Sequence, residues 1–282
     1  MKRFVLGLLV FALVAGIVAL ALTPAAVNQY RLWRDARSIG DYRRAVNALD
    51  TLARGTLLAE ARRYNEGLEE IALRDAFAQT AYAEDAGADI LDVSGSGVIA
   101  VLEIPKLGMT LPVYRGVSQR ALARGAVHLE GTSLPVGGEG THCVLAGQGG
   151  GRFAGLFDGL DRLIPGDCFY VQALQDTLIY EVAQIDAVAP EALEAQPIDG
   201  EADLCTLMTA ITQDGDERRL LVRARRIGRQ ETPLEDDTQV LPGWAARLIF
   251  AAPVALAGLI LLALVEGLRR AVGRRRLKRM RL

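Results

Sequence analysis

GVIAVLEIPKLGMTLPVYRG, residues 97–116, holds two short apolar runs, VIAVLEI and TLPVY, separated by the Pro105 and Gly108 breakers. Runs of this length, rich in β-branched residues and bounded by turn formers, suit strands rather than helices. The pattern recurs downstream in THCVLAG (141–147), CFYVQAL (168–174), TLIYEVAQI (177–185), ADLCTLMTAI (202–211) and RRLLVRARRI (218–227), with Gly-, Pro- and Asp-bearing turns between the runs. Such a series predicts a mainly antiparallel sheet or a closed β-barrel. Between two of the strands, FAGLFDGLDRL (153–163) predicts one short helix that ends at Pro165-Gly166.

Upstream, Ser94–Gly97 (SGSG) marks a flexible break. Residues 28–85 contain no proline and are rich in Ala, Arg, Leu and Glu, and Leu58, Ala61, Tyr64, Leu68 and Ile71 recur at three- and four-residue steps. That spacing predicts an amphipathic helical preface. Further out, residues 4–23 carry no charge and are long enough to span a bilayer core. The run is longer than a usual secretory signal core, so an uncleaved signal-anchor is preferred to a cleaved signal. A second apolar segment, Ala245–Val265, precedes an arginine-rich tail. Basic flanks lie on the cytoplasmic side, so the expected arrangement has both termini inside and residues 30–240 outside the cell membrane. The division expected is an N-terminal anchor over 1–27, a helical preface over 28–93 and a barrel over 94–227. A polar linker over 228–242, a second transmembrane helix over 243–267 and a basic tail over 268–282 complete it.

The formal net charge is −2, and ten basic residues sit at the extreme ends of the chain. Setting those aside leaves residues 4–268 at about −12, an acidic body with no electrostatic footprint for nucleic acid. No metal-ligand spacing is visible and no cofactor is expected, although the scattered acidic residues leave a calcium site open. Three cysteines in an exported domain leave at least one unpaired.

These residues resemble a known family, the class C or pilin-polymerising sortases. The resemblance is carried by residues 97–116, by HLEGTSLPVGGEGTH (128–142) and by LFDGLDRLIPGDCFYV (156–171), and continues through TLIYEV, DLCTLMT and RRLLVRARR, covering roughly residues 50–226. It implies an eight-stranded barrel with a histidine, a cysteine and an arginine on adjoining strand ends. In the family the thiolate attacks a Thr-Gly peptide of a sorting signal, the histidine protonates the leaving amine and the arginine steadies the oxyanion. The family's Thr-Gly-His-Arg-Gly stretch reads Ala146-Gly147-Gln148-Gly149-Gly150 here, which puts Gln148 at the histidine position. The strand that should end in the nucleophile reads Thr206-Leu207-Met208-Thr209-Ala210, which puts Ala210 there, and Arg219 stands at the arginine spacing. A carboxamide exchanges no proton near neutral pH, and a methyl attacks nothing.

The residues next to these positions differ too: Ile211–Asp214 replaces the family's Thr-Pro-Tyr-Gly. The only histidines, His128 and His142, match scaffold histidines of the family and are read as structural. Cys143 and Cys205 sit five residues before Gln148 and Ala210, an odd offset that directs them to the opposite face. If the two strands are neighbours, as the resemblance implies, these cysteines lie side by side. A disulfide is then one outcome and a pair of ordinary buried thiols the preferred one. The family's lid, an Asp-Pro-aromatic triplet, is matched by Asp75-Ala76-Phe77 without its proline; if present, it would set Asp75 on Arg219.

The expected function is a catalytically inactive, membrane-anchored relative that binds a sorting-signal peptide, a pilin subunit or an active sortase. The alternatives are an active transpeptidase that joins pilin subunits, using an unconventional nucleophile such as Thr209 or Thr212, and a structural surface barrel.

Overall fold

The computed structural model describes residues 30–68, 70–71, 73–78, 89–149, 156–193, 196–197 and 201–231. The described residues from 35 to 231 form one compact unit. None of the described helices is long and apolar enough to cross a membrane. Both apolar segments expected to do so, 4–23 and 245–265, lie outside the described residues, as do the basic tail and most of the polar linker.

Two helices open the described chain, α1 over residues 30–48 and α2 over Thr51–Glu66. Asp50 separates them and caps α2, its carboxylate accepting from the Ala53 amide at 2.7 Å. Gly67 ends α2. The helical preface is therefore shorter than its periodicity suggests: Ile71, expected on the helix, lies in a two-residue strand, β1 (Glu70–Ile71).

Eight further strands follow β1, together with one more two-residue strand: β2 (Val98–Ile104), β3 (Met109–Tyr114), β4 (Ala126–His128), β5 (Thr141–Ala146), β6 (Cys168–Ala173), β7 (Asp176–Val188), β8 (Gln196–Pro197), β9 (Asp203–Gln213) and β10 (Asp216–Glu231). All except β1 and β8 close into one barrel in the order β10-β7-β6-β2-β3-β4-β5-β9, and β1 pairs with β8 separately. The mainly β, eight-stranded barrel expected from the sequence is present. Its pairing is antiparallel except at β3–β4 and β5–β9, which are parallel. β10 continues past residue 227 to Glu231, pairing Gly228–Glu231 with Ile179–Asp176 of β7, so part of the expected linker is strand.

The short helix expected over 153–163 is corrected by the described part of that segment. Only Leu160–Arg162 makes a single 3-10 turn, because Gly159 enters it at φ +82°, outside the helical region. Asp167 then ties the turn after it, accepting from the Ile164 amide and pairing with Lys106 at 2.7 Å each.

The preface is fastened to the barrel by buried polar contacts as well as by packing. Tyr42, fully buried, donates to the Ile99 carbonyl and accepts from the Leu174 amide, both at 2.9 Å. Burial is the main reason its phenol is pushed far above the ordinary range. Asn65 makes a two-way clasp with Leu134, donating to its carbonyl at 3.2 Å and accepting from its amide at 2.7 Å. Replacing Tyr42 with Phe strands both backbone partners in a dry interface. It is expected to cost about 2 kcal/mol, readable as a lower urea midpoint at unchanged slope.

Candidate functional site

Two local rules bring the expected site residues onto one line. Asp214 and Gly215 form the β9–β10 turn with φ +54° and +90°, the two positive values a type I′ hairpin turn needs. This turn pairs Gln213 with Asp216 and, three residues further along each strand, Ala210 with Arg219. Directly opposed residues share a face of the sheet, so the methyl and the guanidinium stand side by side. On the other flank, the parallel β5–β9 ladder matches Ala146 to Met208, and the Gly147 amide carries the pairing on by donating to the Met208 carbonyl at 3.0 Å. The paired register ends at Ala146–Met208; extended by the same offset it would bring Gln148 to Ala210. Gln148 is exposed, and its carbonyl accepts from Phe157 at 3.1 Å.

Where the chain runs on from β5 alongside β9 there is almost no room for a side chain. A Cβ on Gly147 would lie 2.5 Å from the Phe157 ring, and one on Gly149 would lie 2.6 Å from Thr209 Oγ1. The Thr209 hydroxyl is committed, donating to the Gly147 carbonyl at 2.8 Å. A cleft of about 570 Å³ opens at this end of the barrel, with Ala210 and Thr212 on its wall beside Phe157, Ile185, Ile211 and Leu220.

Arg219 is almost fully covered, with 3% of its side chain exposed. Its Nε and Nη2 donate to the two carboxylate oxygens of Asp75, both at 2.8 Å, although the residues lie 144 positions apart in sequence. The Phe77 ring lies under the guanidinium, 5.3 Å from its centroid. Asp75 also accepts from the Phe77 amide at 3.0 Å, which folds the Asp75-Ala76-Phe77 segment against the arginine. Burial raises the Asp75 carboxyl, but the Arg219 hydrogen bonds, the Phe77 amide and the Arg219 charge together hold it below its ordinary value. The hydrogen bonds that Arg219 donates to Asp75 likewise raise Arg219, against the opposing effect of burial.

Glu217 completes this group and was missed in the sequence. Its Oε1 accepts from Arg219 Nη1 at 2.9 Å, while the Arg218 carbonyl accepts from the same atom at 3.3 Å. The period-2 rule for strands could have found it, since it lies two residues before Arg219 and therefore on the same face.

The cysteines and histidines lie elsewhere. Cys143 and Cys205 are directly opposed across β5–β9, and both are buried free thiols. Burial, followed by a hydrogen bond with Cys143, pushes the Cys205 thiol well above its ordinary value, the reverse of what a nucleophile needs. Cys168 is also free and only partly buried. His128 Nε2 donates to the Ser133 carbonyl at 3.0 Å, and His142 Nε2 meets the Thr206 hydroxyl at 2.8 Å.

Burial first, then the Arg223 charge, lowers His142 from 6.5 to about 4. A folded value below the unfolded one contributes stability that is present above pH 6.5 and is lost as pH falls through about 4. NMR at about pH 5.5, where an ordinary histidine is mostly charged, is expected to find the His142 ring neutral; a charged ring would remove its scaffold assignment. Among the described residues, no group of acidic, histidine or cysteine side chains is arranged to hold a metal ion.

The family model described as Sortase domain matches residues 102–227. A solved structure named as a pilus-related Sortase C of Group B Streptococcus is 37% identical, with 67% of this chain and 96% of that one covered and a TM-score of 0.60.

The chain belongs to the sortase family.

Its place in the class C branch is supported by two further likenesses. Sortase C of Streptococcus pneumoniae is 33% identical over 68% of this chain and 97% of its own, with a TM-score of 0.60. Sortase C2 of Group B Streptococcus Pilus Island 1 is 38% identical over 64% of this chain and 100% of its own, with a TM-score of 0.58. No curated protein sequence matches the chain significantly. In this class C sortase-family chain the barrel, α2 and the Asp75–Arg219 contact belong to one compact unit.

Proposed function

We propose that this chain is a membrane-anchored class C sortase relative that binds a sorting-signal peptide or pilin subunit, or a partner sortase, at the cell surface without catalysing transfer. One observation carries the reading: the residue paired with Arg219 on the adjacent strand is Ala210, and Gln148 flanks it where an imidazole would be needed. Acyl transfer through the chain requires a nucleophile and a group that moves a proton, and these two side chains supply neither. The cleft of about 570 Å³ with Ala210 on its wall supports binding over a purely structural barrel. The uncharged segments at residues 4–23 and 245–265, each next to basic residues, support two membrane anchors with both termini inside and the barrel outside.

The alternative of an active enzyme using Thr209 is disfavoured by the hydrogen bond that commits its hydroxyl to Gly147. Thr212 faces Glu217 across the hairpin, and Glu217 is already paired with Arg219. Calorimetric titration of the full chain with a sorting-signal peptide, with mass spectrometry of the mixture, tests the proposal. Saturable binding without a cleaved product is expected. A cleaved peptide would overturn the inactive reading, and no binding of any sorting-signal peptide or pilin would leave the structural barrel.

A further inference from the structure

Residues 4–30 carry no charge, with Lys2 and Arg3 before them and Arg31 directly after. A helix through those 27 residues extends about 40 Å, the thickness of a bilayer with both headgroup layers rather than of its hydrocarbon core alone. The outer headgroup layer then falls at the first described turn of α1, residues 30–34. This turn has the composition of that layer. Tyr30 and Trp33, three residues apart and so on one side of the helix, hold their rings side by side with centroids 6.0 Å apart. Leu32 stands about 200° around the axis from Tyr30; the leucine is 57% exposed and the tyrosine 47%. Arg31 and Arg34 fill the positions between. One exposed leucine on a helix signifies little. Here aromatic, apolar and basic groups encircle a turn only about 6 Å tall, matching the depth of about 5–8 Å left to one headgroup layer, and no acidic residue lies within it to oppose anionic lipid. Such a ring fits a helix that passes through the layer, whereas a helix lying flat on it needs one apolar and one charged face.

We infer that residues 30–34 form a binding surface for phospholipid headgroups of the outer leaflet. Tyr30 and Trp33 lie at the boundary between headgroups and acyl chains, where amphipathic rings are favoured. Leu32 reaches the first acyl carbons, and Arg31 and Arg34 donate charge-assisted hydrogen bonds to lipid phosphates. This inference rests on the membrane-anchor reading above and specifies where the anchor meets lipid. It makes α1 begin within the membrane surface rather than at the end of an aqueous tether.

Trp33 and Trp244 are the only tryptophans, so the full chain carrying Trp244→Phe reports from Trp33 alone. The test reconstitutes this chain in phosphatidylcholine vesicles, with and without phosphatidylglycerol, and quenches it with lipid nitroxides placed near the headgroup or near the acyl end, and with aqueous acrylamide. The expected result is a loss of emission that is largest with the shallow nitroxide and larger still when phosphatidylglycerol is present. Arg31→Gln with Arg34→Gln is expected to remove the phosphatidylglycerol increment while leaving insertion unchanged. Strongest quenching by the deep nitroxide would make the turn part of the span, and quenching by acrylamide alone would place it in water; either result overturns the inference while the anchor stands. An increment that survives the double substitution would overturn the assignment of the phosphates to the arginines. Failure of the chain to float with carbonate-washed vesicles would remove the anchor reading, and this inference with it.

Discussion

With Ala210→Cys and Gln148→His introduced together, the chain is expected to form a covalent acyl adduct with a sorting-signal peptide, seen as a mass increase in intact-protein spectra. The unaltered chain is expected to form none. Loss of a nucleophile in a triad-type hydrolase costs on the order of a millionfold in rate, so the two proteins should differ by the presence or absence of signal rather than by degree. The geometry supports the double change over either single one. The β9–β10 register holds residue 210 against Arg219, and the β5–β9 register, extended two residues past Ala146–Met208, would bring residue 148 to it. A thiol at 210 without an imidazole at 148 lacks the partner that makes it a thiolate. Since Asp75 and Phe77 cover Arg219, the adduct should form faster when Asp75→Ala is added to the pair. An adduct or cleaved peptide from the unaltered chain would refute the inactive assignment. Gly149 should be left unchanged, because a Cβ there would press on Thr209 Oγ1 at 2.6 Å.

Asp203→Ala is expected to be the most damaging single substitution outside the apolar core. This carboxylate, buried at the start of β9, accepts from the Tyr180 hydroxyl at 2.9 Å and the Gly138 amide at 2.6 Å, and pairs with Arg226 at 2.6 Å. Removing it leaves a buried phenol and a backbone amide without their acceptor and takes away the counter-charge of Arg226. Breaking one side of such a buried group costs about 3–5 kcal/mol. In a domain of this size that is roughly a 10 °C fall in Tm, measurable by calorimetry. Asp203→Asn, which keeps an acceptor oxygen for one of the two hydrogen-bond donors, should lose less. Equal losses would show that charge, rather than hydrogen bonding, holds the group together.

How much of this was legible beforehand depended on whether the determining interaction is local. Seven of the barrel's eight strands could be read from their apolar runs. The eighth, Ala126–His128, has three residues and no room to show alternation. The pairing of Ala210 with Arg219 follows from one two-residue turn that fixes the register of both arms. The Gln148 position depends instead on a parallel ladder between segments 62 residues apart, which no local pattern encodes; only resemblance to the sortases pointed to it. The Asp75 contact follows from the same resemblance, whereas Glu217 stands outside the motif positions that carry it. The helix expected near residue 160 failed because a hydrophobic spacing of three and four persists through Gly159, whose backbone leaves the helical region.

Tyr42 and Asn65 hold backbone groups of the barrel that no strand satisfies, and both lie well upstream of the matched Sortase domain, which begins at Leu102, midway along β2. The unit that holds the barrel together is therefore larger than the segment the family model matches. An expression fragment trimmed to residues 102–227 would start inside a barrel stave and expose the surface that α1 and α2 cover, so recombinant work should begin no later than residue 35 and run through Glu231.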